Sequence, residues 1–221
     1  MSDAPPIVLP FFRASVVLRE ADRQVWDANV ADDAFLDVVR QTPVPFRHNL
    51  RRLLVASTLA HEEGADLVFA EGWNSNRLDA SAASVCGAEV FTRMLQVLQD
   101  RAYTSFSGTV HRLDASCCTW QEIRVVHEAF PDRRILGVTS SPCPSAARAR
   151  RYLRIITAHA EVHSNTSMDD RASALFSACD TPAEGFTEAI NWGVHTASEC
   201  LRFFWRSDRP LEMRLAQAMR R

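Results

Sequence analysis

At 221 residues, 47% hydrophobic and 24% charged, the chain has the size and balance of one globular domain, and this composition excludes a disordered protein. A formal charge of −2, from 25 basic and 27 acidic residues, offers no basic face for nucleic acid. Every basic residue is arginine and none is lysine, which excludes a lysine Schiff base, a pyridoxal-phosphate anchor and a P-loop lysine.

In chain order, two apolar runs, 7–12 and 14–18, compete for the first strand. Residues 31–41 read as a helix that Pro43 and Pro45 break. Phe46, Leu50, Leu53, Leu54 and Ala60 recur at helical spacing and predict a helix over 46–63, with Gly64 as its C-terminal cap. A buried strand follows over 66–71, then a polar loop over 72–77 and a helix over 80–99. Residues 103–113 alternate and end in a strand, 114–119 form a second polar loop, and 120–130 a helix. The clearest strand is 134–139; its loop is 140–144 and its helix 145–157. Residues 161–163 are a candidate last strand. Thr181, Pro182 and Glu184 are helix start signals. The stripe Phe186, Ile190, Val194, Ala197, Leu201 and Phe204 then predicts a helix packed on the sheet, with a homodimer interface as the alternative.

Strand, polar loop and helix thus recur three times, the pattern of a parallel sheet covered by helices. Right-handed crossovers place the three loops on one edge, where open α/β sheets bind ligands. In the third loop, Thr139, Ser140 and Ser141 lead into a helix N-terminus, an anion site that Arg148 can complete. Cys143 stands just before that helix, where a thiol pKa falls, and is a candidate nucleophile. The second loop adds Ser116, Thr119 and Glu122, whose spacing also suits helix capping. The first adds Gly72, which lets a ligand approach the backbone, and Asn74. Glu71, Glu89 and Glu122 are the acid–base candidates. His159 and His163 lack the His-Glu-x-x-His order of zinc proteases, so no metal site is expected.

Six cysteines, none in a Cys-x-x-Cys pair, read as reduced thiols. With no signal peptide in the first ten residues and no apolar run approaching about 18 residues, the expected location is the cytoplasm, away from membranes.

As a set, the three loops resemble those of the YdcF/SanA/ElyC family. The matching residues are Ala70-Glu71-Gly72 with Ala88-Glu89, then Asp114 with Ser116, Thr119 and Gln121-Glu122, then Val138-Thr139-Ser140 with Arg148-Ala149. Arg47, Arg51 and Arg52 stand where that family carries an arginine-bearing helix, and the resemblance spans roughly 46–163. It departs at Trp73, where the family has a second glycine, and at Cys143, where the family has a histidine. The resemblance implies a Rossmann-like three-layer sandwich with a mostly parallel sheet and, for the soluble YdcF type, binding of S-adenosylmethionine. The combined expectation is one α/β domain over 1–221, its core over about 46–163 and a helical extension over about 166–221. Its expected role is a small-molecule enzyme, a transferase or hydrolase acting on a nucleotide-like or anionic ligand. A non-catalytic ligand sensor and a thiol enzyme using Cys143 are the alternatives.

Overall fold

A computed structural model of the chain describes residues 4–12, 31–42, 44–71, 87–116, 119–139, 144–157, 160–163 and 167–179. Five strands form one sheet: β1 Ile7–Pro10, β2 Asp66–Glu71, β3 Val110–Ser116, β4 Ile135–Val138 and β5 Ala160–His163. Their order is β3-β2-β1-β4-β5 and every pairing is parallel. Six helices accompany them among the described residues. They are α1 Asp32–Gln41, α2 Val44–Glu62, α3 Gly87–Asp100, α4 Thr119–Ala129, α5 Pro144–Ile156 and α6 Asp170–Ala178.

The first of the two competing runs is in the sheet, and it takes the central position. β1 is apolar at every residue and buried on both faces, as an inner parallel strand must be. Residues 14–18 lie outside the described residues, as do the expected helices beyond residue 180. Period-two alternation sorts the strand side chains into two cores. Val8, Phe12, Leu67, Phe69, Leu136 and Val138 pack with α1, α2, α3 and α6. Ile7, Leu9, Phe11, Val68, Ala70 and Ile135 pack with α4 and α5. The result is a Rossmann-like α/β/α sandwich. Crossovers toward β3 use one face and those toward β5 the other, as a constant right-handed sense requires.

Element ends follow local chemistry. α2 starts at Val44 and includes Pro45, rather than starting after it; a proline in the first turn lacks only an N–H that has no helical acceptor. Gly64 ends α2 with φ +58°, and the Ala65 and Gly64 amides bond back to the Ala60 and His61 carbonyls. Ala102 ends α3 with the same paired bonds at φ 53°, without a glycine's freedom. β3 begins at Val110, later than the alternation from residue 103 implies. Tyr103 and Phe106 are loop residues that plug the core from below, and their burial mimics strand alternation. β3 also runs further than expected: Asp114 to Ser116 are strand, not loop, because β2 and β3 stay paired past an irregularity after Phe69 until Glu71 meets Ser116.

Two polar clusters tie the layers together. At the amino edge, Asp66 Oδ2 accepts from Arg133 Nη2 at 2.7 Å and lies 3.1 Å from His111 Nε2. Arg133 also donates to the carbonyls of Pro5 and Pro6. Burial alone would raise the Asp66 pKa, but hydrogen bonds and charge from Arg133 and His111 outweigh it and hold the carboxyl below its ordinary range. On the helical face, Arg171 of α6 pairs with Asp32 of α1 and lies over the Tyr103 ring, while Arg51 of α2 lies over Phe176 of α6. Burial is the main cause that raises the Tyr103 pKa.

Candidate functional site

The strand order reverses direction between β1 and β4: the chain leaves β1 toward β2 on one face and leaves β4 toward β5 on the other. Such a switch point opens a crevice at the carboxyl ends of the two strands. Pro10 and Val138 are paired there, the Phe11 amide bonds to the Val138 carbonyl, and the Thr139 amide to the His163 carbonyl at 3.1 Å.

Thr139 is the residue that this arrangement singles out. It follows β4 directly, is 2% exposed, and its hydroxyl is buried with no hydrogen-bond partner among the described residues. Alternation places it on the same face as Ile135 and Gly137, the face of α4 and α5. The floor beneath is closed by two apolar side chains and the Glu161 carbonyl. A Cβ added at Gly137 would lie 2.8 Å from Phe11 Cε2 and 3.2 Å from Leu153 Cδ1. A buried unsatisfied hydroxyl costs about 1–3 kcal/mol, which a ligand oxygen or nitrogen reaching it would recover.

Thr119, half-buried, opens α4, and Glu122 in the same first turn is a carboxylate only 6% exposed. Glu89 lies in the first turn of α3, on the other face of the sheet. The acid–base candidates are therefore split between two layers, with Glu122 alone of the two on the Thr139 side. Glu71 and Ser116 end β2 and β3 as register partners. Arg148 lies on α5, five residues into the helix, one turn before Tyr152. For Glu71, Ser116 and Arg148 only the backbone position is described. Gly72, Asn74, Ser140, Ser141 and Cys143 fall outside the described residues. Cys179 is a buried thiol at the end of α6, within the apolar core.

Sequence reasoning singled out Arg47 and Arg52 in α2 only through the family resemblance, and it missed His48 and Asn49. This helix has 19 residues and β2 has 6; at 1.5 Å and 3.3 Å per residue, about 28 Å of helix runs beside about 20 Å of strand. Its C-terminus meets β2 at the amino edge, so its first turns rise past the carboxyl edge. They carry His48 and Asn49, both buried, and Arg47, whose Nε is buried without a hydrogen-bond partner among the described residues; Arg52, also buried, lies one turn lower, beside the strand. His48 and Arg52 share an i, i+4 strip with the buried Val55 and Leu59, a mixed pattern that reads as amphipathic until the covering layers are known.

A hollow of about 170 Å³ lies at the opposite, amino edge, between Thr58, His61, Tyr103, Ser105 and Asp169. Its polar groups already serve the fold: Thr58 donates to Leu54, Thr104 accepts from Phe106, and Asp169 caps α6 by accepting from Ala172. Among the described residues, no group of three or more His, Cys, Asp or Glu is placed to hold a metal ion. Nor, among them, is any helix long and apolar enough to cross a membrane. Compared with protein-family models, curated proteins and solved structures, the chain matches none.

Proposed function

We propose that the chain is a small-molecule enzyme that holds a nucleotide-like or otherwise anionic ligand at the carboxyl edge, in the β1/β4 crevice. The observation that carries this reading is the buried, unpartnered hydroxyl of Thr139 at the end of a central strand, just before a helix that has no acidic residue in its first turn. In this reading Thr139 and Arg148 hold the anionic group, Ser116 and Thr119 extend the cradle, and Glu122 supplies the nearest buried carboxylate for proton transfer. Group transfer or hydrolysis is the reaction class, with S-adenosylmethionine among the candidate ligands. Kinship with the soluble YdcF type belongs to the same proposal, supported by the order and spacing of the loop residues. The test is thermal-shift screening of nucleotides, S-adenosylmethionine and sugar phosphates, followed by product analysis with any compound that stabilises the chain. Stabilisation that survives in both Thr139→Ala and Arg148→Ala would refute the assignment, and a ligand recovered unchanged would refute the enzymatic part.

A further inference from the structure

α4 and α5 both run from the carboxyl edge toward the amino edge on one face of the sheet, yet they do not start level. Trp120, the second residue of α4, packs edge-to-face on Tyr152, the ninth residue of α5, with ring centroids 5.2 Å apart and planes at 79°. At 1.5 Å per residue, the start of α5 therefore rises about 10 Å above the start of α4. This makes a step. Trp120, half-buried, forms the tread. The riser is the first two turns of α5, with Arg148 one turn before Tyr152 along the helix. Thr139 stands at the back of the step. Tyr152 adjoins Leu153, whose Cδ1 lies 3.2 Å from the Cβ position of Gly137, and Thr139 is two residues further up the same face, about 7 Å.

We infer that Trp120 is a stacking platform for a flat heteroaromatic base, so that the ligand of the Thr139 site is a nucleoside phosphate: phosphate toward Thr139 and the α5 N-terminus, base on the step. This rests on the proposed reading of the Thr139 site and narrows it. Three facts support it together. A buried hydroxyl without a partner marks the polar end. The floor at Gly137 is filled by Phe11, Leu153 and the Glu161 carbonyl, which leaves no room for a ligand beneath the hydroxyl. The indole at the start of α4 is only partly buried: it packs on the α4/α5 core and edge-to-face on Tyr152, and the part of the ring that stays exposed is a surface on which a flat base can stack.

The test is titration of AMP, ribose 5-phosphate and inorganic phosphate against the full chain and against Trp120→Leu, Trp120→Phe and Thr139→Val. The expected result is that AMP binds at least about tenfold more tightly than ribose 5-phosphate, the range of one base–aromatic stack. Trp120→Leu should erase that margin while leaving ribose 5-phosphate within about twofold, and Trp120→Phe should keep most of it. Equal affinities for AMP and ribose 5-phosphate in the unmodified chain overturn the inference. So does an AMP affinity unchanged in Trp120→Leu. If Thr139→Val still weakens both compounds, the site reading stands and only the base platform falls. If neither compound binds, or Thr139→Val changes nothing, both fall. Should Trp120→Leu not fold, the comparison of AMP with ribose 5-phosphate and the Trp120→Phe variant decide.

Discussion

Replacing Thr139 by valine exchanges a hydroxyl for a methyl of nearly the same size, and the structure predicts an unusual sign. The hydroxyl is buried, 2% exposed and without a hydrogen-bond partner. Folding therefore strips it of water for no return, at about 1–3 kcal/mol, while a buried methyl gains about 0.8 kcal/mol. After allowing for imperfect fit, the ligand-free variant should be more stable by about 1–2 kcal/mol. With an unfolding entropy near 2.1 cal/mol/K per residue, a chain of 221 residues should gain roughly 2–4 °C in Tm. The internal control is Thr42, also buried, whose hydroxyl donates to the Val39 carbonyl at 2.6 Å. There the same exchange removes a made bond and should cost about 0.5–1.5 kcal/mol. Urea titrations of the two variants, with thermal melts alongside, read both signs. A Thr139→Val variant that is less stable than the parent by more than about 0.5 kcal/mol would show that the hydroxyl is bonded in the free protein. The basis for placing a ligand there would then be gone. Gain of stability with loss of binding is the pattern of a site group held unsatisfied for its ligand.

Other outcomes follow from the same geometry. Asp66→Asn should cost about 1–2 kcal/mol, a figure discounted for the solvent that still reaches the carboxylate. Because the folded carboxyl is held below its unfolded value, the unfolded chain binds more protons between the two. Stability from this group is therefore present above the unfolded pKa and lost as pH falls through the folded one. Urea unfolding between pH 3 and 7 should show a shallower acid loss in the variant, and parallel curves would count against the pairing. Ala102→Gly relieves a non-glycine residue at φ 53° and should stabilise by about 0.5–1 kcal/mol in denaturant titration. Gly137→Ala drives a methyl against Phe11 and Leu153 and should cost about 1–3 kcal/mol, a loss that Leu153→Val should partly relieve.

Much of the fold could be read locally. β2 and β4 are apolar runs bounded by turn and polar residues, and helices α2, α4 and α5 declare themselves by their spacing. The place of β1 could not be read this way. Runs 7–12 and 14–18 both read as a first strand, and what shows the first to be one is its pairing with β2 and β4, segments far along the chain. The late start of β3 was hidden because Tyr103 and Phe106 are buried from a loop, and burial without pairing imitates a strand. At the site, hydroxyls at the end of a strong strand pointed to Thr139, but nothing in the spacing showed that its oxygen lacks a partner. Trp120 was invisible for a different reason: its role depends on two helices starting at different heights, a relation between elements that no single segment encodes.

The central strand also sets an order of events during synthesis. β1 leaves the ribosome before the other four strands described and can join β2 once residue 71 has emerged. Its other side must wait for β4, since Arg133, just ahead of that strand, meets Pro5 across 128 positions. Closing so long a loop is slow relative to local pairing. Until it closes, the apolar flank of Ile7, Leu9 and Phe11 is open on the nascent chain and is a natural surface for a holding chaperone. Of the two seams of β1, the one with β4 closes last. In the proposed reading, competence for ligand would thus wait for β4, and a chain stalled before it would carry the first strand but no switch point.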